Sequence, residues 1–140
     1  MDWNGKLCSR LLLAHIDYAV SNVLTPHADH GAWIGTSRRL IEIGRTEVVA
    51  LTLGANGALL VSRDGAFRAG APDIQAVSTV GAGDSFVGGM VGSLAAGAGL
   101  IDAFRYGVVT GSAAVLNQGT ELCHAPDVTR LYERIEMVHI

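Results

Sequence analysis

The stretch Ser78-Thr-Val-Gly-Ala-Gly-Asp-Ser-Phe-Val-Gly-Gly-Met90 constrains this chain more than any other. A β-type run ends in two glycines, an aspartate follows, and a helix of small residues begins at once. The order places bare backbone N–H groups and one carboxylate around the same point. The N–H groups of Ala82, Gly83 and Asp84 fall at a helix N-terminus, where unpaired donors and the helix dipole favour an anion. Asp84 stands beside that position, where a carboxylate can take a proton from a hydroxyl. An anion hole with a base is the minimum equipment for moving a phosphoryl group onto an alcohol.

The same residues have a plainer reading. Asp ahead of a helix is most often an N-cap, and Gly-x-Gly is often only a tight turn. The stretch is no Walker A loop, because no Gly-Lys-Ser/Thr follows. It is no dinucleotide fingerprint either, because Phe86 sits where the third glycine belongs. Spacing alone leaves both readings open, so the surrounding pattern has to decide.

That pattern is α/β. Leu7, Leu11 and Leu12 fit one helical face, and residues 16–20 read as a short strand before a turn-rich stretch through Pro26 and Gly31. Residues 33–43 carry helical spacing and stop at Gly44, a natural residue just past a helix end. Residues 47–53 and 58–62 read as buried strands, separated by Gly54-Ala-Asn-Gly57. Arg63-Asp-Gly65 predicts a hairpin into residues 66–69, and Pro72 opens an extended run through Val77. A helix follows the glycine turn with Phe86, Val87, Met90, Val91, Leu94 and Ala95 on one face, and Gly88, Gly89 and Gly92 allowing close approach. Glycine costs about 1 kcal/mol per helical position relative to alanine, so tight packing must hold that helix. Asp102 is the expected cap of a second helix through Leu116, with Gly107, Gly111, Ala113 and Ala114 at further close contacts. Pro126 opens a last helix whose buried face is Val128, Leu131, Tyr132 and Ile135.

Bulk properties narrow the classes. The 140 residues suit one domain, 49% of them apolar and 16% charged, which rules out a disordered chain. Ten basic against thirteen acidic residues give −3, with Lys nearly absent and no basic stripe for nucleic acid or an anionic membrane. Cys8 and Cys123 are far apart without metal spacing, as free thiols would be. His27-Ala-Asp-His30 lies in a Pro-containing turn without a third ligand, a poor metal site. No apolar run is long enough for a membrane span or a signal-peptide core, and the expectation is a soluble, cytoplasmic protein.

From about residue 47 onward the chain resembles the C-terminal half of the ribokinase-like (PfkB) carbohydrate kinases. The resemblance rests on Thr52-Leu-Gly-Ala-Asn-Gly57, on Ser78-Thr-Val-Gly-Ala-Gly-Asp-Ser85, and on Phe104 to Thr120 ending in Leu116-Asn-Gln-Gly-Thr120. Three motifs in one order and at one spacing say more than any one alone. Ser78 and the run Leu116-Asn-Gln-Gly-Thr-Glu-Leu-Cys123 are most similar to the subfamily of minor bacterial 6-phosphofructokinases. The implied fold is the C-terminal half of a three-layer α/β/α architecture. Residues 1–46 would be a divergent segment packed on it, and residues 47–140 the nucleotide-binding and catalytic half.

The resemblance also implies roles. Asp84 matches the family's catalytic base, and the amides of Gly81, Ala82 and Gly83 match its anion hole. Thr52, Gly54, Asn56 and Gly57 match the loop that meets the nucleotide, with Val108 and Ser112 on the adenine side. Ser78, Val80, Ala114, Asn117 and Gly119 match a site for a monovalent cation, K⁺, while ATP and Mg²⁺ are the implied cofactors. Glu121 departs from the basic residue of the most similar members.

Other departures concern what the chain does not show. The family's sugar-binding half and small β lid are not recognisable. Its Asn-x-x-Glu motif, linked to Mg²⁺ and phosphate handling, corresponds here to Ser21-Asn-Val-Leu-Thr25, with Thr25 where Glu belongs. The expected function is ATP-dependent phosphorylation of a sugar or sugar phosphate, truncated and at most weakly active alone. The alternatives are a non-catalytic nucleotide-binding module, or an oligomerising or inactive remnant associating through surface that the missing half would cover. Ribose, ketohexose or nucleoside kinases would share every residue named.

Overall fold

The computed structural model describes residues 11–15, 30–118 and 123–140. Residues 16–20, the Ser21–Thr25 motif, Cys8, His27, Gly119 and Glu121 lie outside them. Among the described residues five strands form one sheet in the order β1-β2-β3-β4-β5: β1 Leu11–His15, β2 Val48–Thr52, β3 Ala58–Ser62, β4 Gly65–Ala69 and β5 Met137–His139. β1 runs parallel to β2, with Leu11 opposite Val48 and His15 opposite Thr52, and the other neighbours are antiparallel. The helices are α1 His30–Glu42, α2 Ala82–Ala95, α3 Leu100–Ala114 and α4 Ala125–Tyr132.

Alternation along the strands builds three layers. Val48 and Ala50 of β2, with Ala58 and Leu60 of β3, face a core completed by Phe86, Met90, Phe104, Val109, Val128 and Leu131 from α2, α3 and α4. Val49, Leu51, Leu59 and Val61 point the other way, against Trp33, Ile34 and Ile41 of α1. Strands covered on both faces read as near-continuous apolar runs, which is how residues 47–53 and 58–62 look.

Helix ends follow backbone chemistry. At α1 the amide of Arg45 donates to Leu40 O and that of Gly44 to Ile41 O, both at 3.1 Å, with Gly44 at φ +75°. Gly97, at φ +95°, closes α2 in the same way through Gly97 to Leu94 O and Ala98 to Ser93 O. Both are Schellman closures, which need a residue that tolerates the left-handed region.

Several expectations change. Leu11–His15 is a strand and not a helical face, because a short apolar run fits either and pairing with β2 decides it. Gly31 lies within α1 and not in a turn. Asp102 sits inside the first turn of α3, behind the N-cap Gly99, where its carboxylate meets the positive end of the dipole without capping it. Residues 72–77 form no strand, because β4 already lies between β3 and β5. β5 itself escaped the sequence reading: three residues with two exposed side chains carry no periodicity. Ile135 is buried as expected but lies beyond α4.

The three glycines expected to bring α2 close to its neighbour divide sharply. A Cβ built on Gly89 would run into the Thr110 side chain of α3, whereas Gly88 and Gly92 face open space. From α3, a Cβ on Gly107 would come within 2.9 Å of Met90 Cβ and 3.0 Å of Phe86 O, and one on Gly111 within 3.0 Å of Ala82 O. The contact therefore runs along Gly89, Gly107 and Gly111. Adjacent positions should respond with opposite signs. Gly88→Ala should raise stability by about 0.5–1 kcal/mol through helix propensity. Gly89→Ala should lower it by about 1–3 kcal/mol through overpacking. Urea unfolding midpoints of the two variants check this.

Candidate active site

Thr52, Ala58 and Ala69 stand side by side in register, so β2 ends, β3 begins and β4 ends at one edge of the sheet. The carboxyl end of β1 is there too, since His15 pairs with Thr52. At the opposite end, the β3–β4 hairpin residues Ser62 and Asp64 share a cavity with Gly99, Leu100 and Asp102 at the start of α3. Because α2 and α3 run antiparallel, the start of α2 and the finish of α3 are brought toward the Thr52 end. Carboxyl ends of parallel strands are where open α/β sheets take their ligands.

The first part of the site is the turn after β2. Leu53 N donates to Gly57 O at 2.8 Å, Asn56 N to Leu53 O at 3.1 Å and Gly57 N to Gly54 O at 3.1 Å, closing a single 3₁₀ turn over Gly54–Asn56. Gly54 and Gly57 take φ +58° and +89°. Gly57 is buried, and a Cβ there would collide with Ala69 O and come within 3.0 Å of Ala71 N. Gly54, Ala55 and Asn56 are exposed, so the turn presents polar backbone and the Asn56 side chain to solvent.

The second part is the glycine turn itself. Gly81, at φ +83°, is the N-cap of α2 and makes no side-chain capping bond. Ser85 N donates to Gly81 O at 2.9 Å, and Ala82 N makes a long bond to Thr79 O at 3.4 Å. Among the described residues the amides of Gly81, Gly83 and Asp84 have no acceptor, and Gly83 and Asp84 are exposed. Ala82 thus differs from the expectation that its amide stands open. Ser85 Oγ is buried without a partner among the described residues. Such a hydroxyl costs about 1–3 kcal/mol unless something satisfies it.

Upstream, the turn is tied to α3. Val77 N and Ser78 N both donate to Val115 O, at 2.7 and 3.2 Å, and Val80 N donates to Ser78 Oγ at 3.3 Å. Ser78 is therefore brought beside the end of α3, where Leu116 N donates to Ala113 O and Asn117 N to Ala114 O. Of the proposed cation ligands, Ser78, Ala114 and Asn117 converge on this junction, Val80 is 55% exposed nearby in sequence, and Gly119 is outside the described residues. Val108 is buried in the sheet-facing core and Ser112 is half-buried on α3. No group of three or more His, Cys, Asp or Glu among the described residues could hold a metal.

Sequence reasoning missed Thr110. It is buried, with its Oγ1 2.8 Å from Ser85 O across the helix pair and 3.0 Å from Gly107 O on its own helix. A threonine inside a helix of small residues gives no sign of which neighbour it bonds.

The α/β fold is that of a carbohydrate-kinase scaffold, as comparison with known proteins shows. The chain belongs to the pfkB family of carbohydrate kinases, whose profile matches residues 12–127. It is 42% identical over 96 residues to the ATP-dependent 6-phosphofructokinase isozyme 2 of Escherichia coli (strain K12), covering 69% of this chain and 31% of that protein. It is 31% identical over 147 residues to the 1-phosphofructokinase of Borreliella burgdorferi, covering 100% of this chain and 47% of that protein. The crystal structure of Escherichia coli phosphofructokinase-2 in complex with potassium superposes with a TM-score of 0.76 at 32% identity, covering 91% of this chain and 42% of that one. The chain spans about a third to a half of the length of these curated relatives.

Gly57 is the turn residue least able to change. Gly57→Ala forces both a left-handed φ and a backbone collision, so stability should fall by about 2–4 kcal/mol. Gly54→Ala, with open space around it, should cost only about 1–2 kcal/mol. Thermal unfolding of the two variants orders them.

Proposed function

We propose that this chain carries the nucleotide-binding and phosphoryl-transferring part of an ATP-dependent kinase for a sugar or sugar-phosphate hydroxyl, of 6-phosphofructokinase type. One observation carries the reading: uncommitted amides at Gly81, Gly83 and Asp84 lie at the N-terminus of a fourteen-residue helix, beside the exposed Asp84 carboxylate. An anion there meets N–H donors and the positive end of a dipole. The amides of Gly81, Ala82 and Gly83 hold the transferring phosphoryl group, with Ala82 giving up its long bond to Thr79. Asp84 receives the proton of the attacking hydroxyl. A general base of this kind contributes about 10²–10⁴-fold, and a lost anion-hole donor costs about 10²–10³.

The nucleotide would lie across the Thr52 end of the sheet, meeting Gly54, Asn56 and Gly57 on one side and Ser112 on the other. Val108 supports that surface from the core. The junction of Ser78, Ala114 and Asn117, with Val80 nearby in sequence, is read as the site of a monovalent cation such as K⁺, and Gly119, outside the described residues, completes the set by the resemblance. Its donors are hydroxyl, amide and backbone carbonyl oxygens beside the negative end of α3, without a carboxylate among them. A cation there adds positive charge near the glycine turn, and Mg²⁺ would accompany the ATP phosphates. Residues 47–140 form the catalytic half in this reading, with residues 1–46 as the divergent segment.

Acceptor choice belongs to the part of the relatives that this chain does not span. A phosphoryl acceptor must be held within about 3–3.5 Å of the γ-phosphorus, and otherwise water competes. A nucleotide-binding module that works by association is therefore the second reading. It is favoured by the exposed Val77 and Val80 flanking the site. The tetrameric inhibited form described for Escherichia coli phosphofructokinase-2 shows one relative that assembles.

ATP titration followed by calorimetry tests the shared core of both readings, and a chain without affinity at millimolar nucleotide overturns them. Asp84→Asn should leave the ATP dissociation constant within about threefold while phosphoryl transfer or ATP hydrolysis falls by at least about 10²-fold. Near-normal turnover in that variant would remove Asp84 from the role of base.

A further inference from the structure

We propose that Thr110 is the positioning residue of the anion site: its hydroxyl, bonded to Ser85 O, fixes the first turn of α2 and so aims the amides of Gly83 and Asp84. This rests on the nucleotide reading above. Among the described residues no side chain caps that turn, since Gly81 has none and Ser85 Oγ is without a partner. Thr110 is 4% exposed and reaches across the helix pair to the carbonyl of the residue directly after Asp84, at 2.8 Å.

Its one proton has a choice. The ordinary partner for a helical threonine is a carbonyl one turn back on its own helix, here Gly107 O at 3.0 Å. The shorter path leads to the other helix, and Gly89 leaves the room for it: a Cβ at Gly89 would occupy the space of Oγ1, Cβ and Cγ2 of Thr110. Directly after Thr110, Gly111 lies against Ala82 O. At the end of the same helix Val115 O holds Val77 and Ser78. The glycine turn is therefore suspended from α3 on both sides, upstream by Val115 and downstream by Thr110. Removing the downstream tie leaves the first turn of α2 held to α3 on that side by packing alone, with only its local bond from Ser85 N to Gly81 O, and donors that must converge on one phosphate then spread over several orientations.

Thr110→Ser and Thr110→Ala both lack the γ-methyl and differ only by the hydroxyl, so their comparison isolates the bond. The readouts are calorimetric titration with ATP and with adenosine, and ATP-induced shifts of the Gly83 and Asp84 amides in ¹⁵N–¹H correlation spectra. All are taken well below each variant's melting temperature. Thr110→Ala should bind ATP roughly fivefold more weakly than Thr110→Ser, which keeps near wild-type affinity. Adenosine, which lacks phosphates, should bind the two alike, and the shifts at Gly83 and Asp84 should shrink only in Thr110→Ala. A merely structural threonine would weaken both ligands together or neither, and either result overturns the proposal. If Thr110→Ala does not fold, Thr110→Val, which keeps the volume without the hydroxyl, is read in the same way. Wild-type protein that fails to bind ATP removes the nucleotide reading and this role with it. Wild-type binding matched by Thr110→Ala removes only the role of Thr110.

Discussion

The structure depends on how closely α2 and α3 approach. Backbone and small side chains meet along Gly89, Gly107 and Gly111, with Gly107 only 3.0 Å from Phe86 O at the position a Cβ would take. No larger side chain fits there, so the pair has one register. That register seats Phe86 against Phe104, with ring centroids 6.1 Å apart and planes at 81°, an edge-to-face contact at the centre of the core. It also decides where the glycine turn stands, because the turn is simply the beginning of α2. Core packing and site geometry are thus one constraint expressed at two ends of a helix.

The sheet supplies the second requirement. With α1 on one face and α2, α3 and α4 on the other, β2 and β3 are covered on both sides, which leaves the strand ends as the part of the sheet nearest the candidate site. α4 is fastened to α3 by Arg105, whose guanidinium donates to Tyr132 O at 2.6 Å and lies 4.3 Å from the Tyr132 ring centroid. A cation at the carbonyl end of α4 satisfies an orphan acceptor and opposes the helix dipole. β5 then covers the edge of β4, with Ile140 N donating to Ala66 O at 2.9 Å.

Much of this was legible in the residues. Gly44 read as a helix stop because few other residues tolerate its φ, and Asp64-Gly65 read as a hairpin for the same kind of reason. The buried strands announced themselves through continuous Val and Leu runs. What stayed hidden was decided by partners distant in sequence. Residues 72–77 have a strand's composition, but β5, more than sixty residues later, holds the place beside β4. Gly88 and Gly89 are indistinguishable as letters, and only the direction of α3 shows that one is a contact and the other a solvent-facing gap. The glycine turn was recognisable as the start of a helix, yet the residue tying it to α3 was not. A hydroxyl in a sequence does not reveal which of two carbonyls it reaches.

The stretch between β4 and α2, residues 70–81, has a mechanical consequence. It is fastened at a few points, by Gly70 N to Glu136 O, by the Arg134 guanidinium to Asp73 O and by the paired bonds to Val115 O, with Ile74 as its inward anchor. The helix it feeds is clamped along its length. Compliance is therefore one-sided: a strap with few ties leads into a stiff beam, and local opening on the strap side costs far less than displacing the beam. An incoming group would find one wall of its berth already set and the other able to yield.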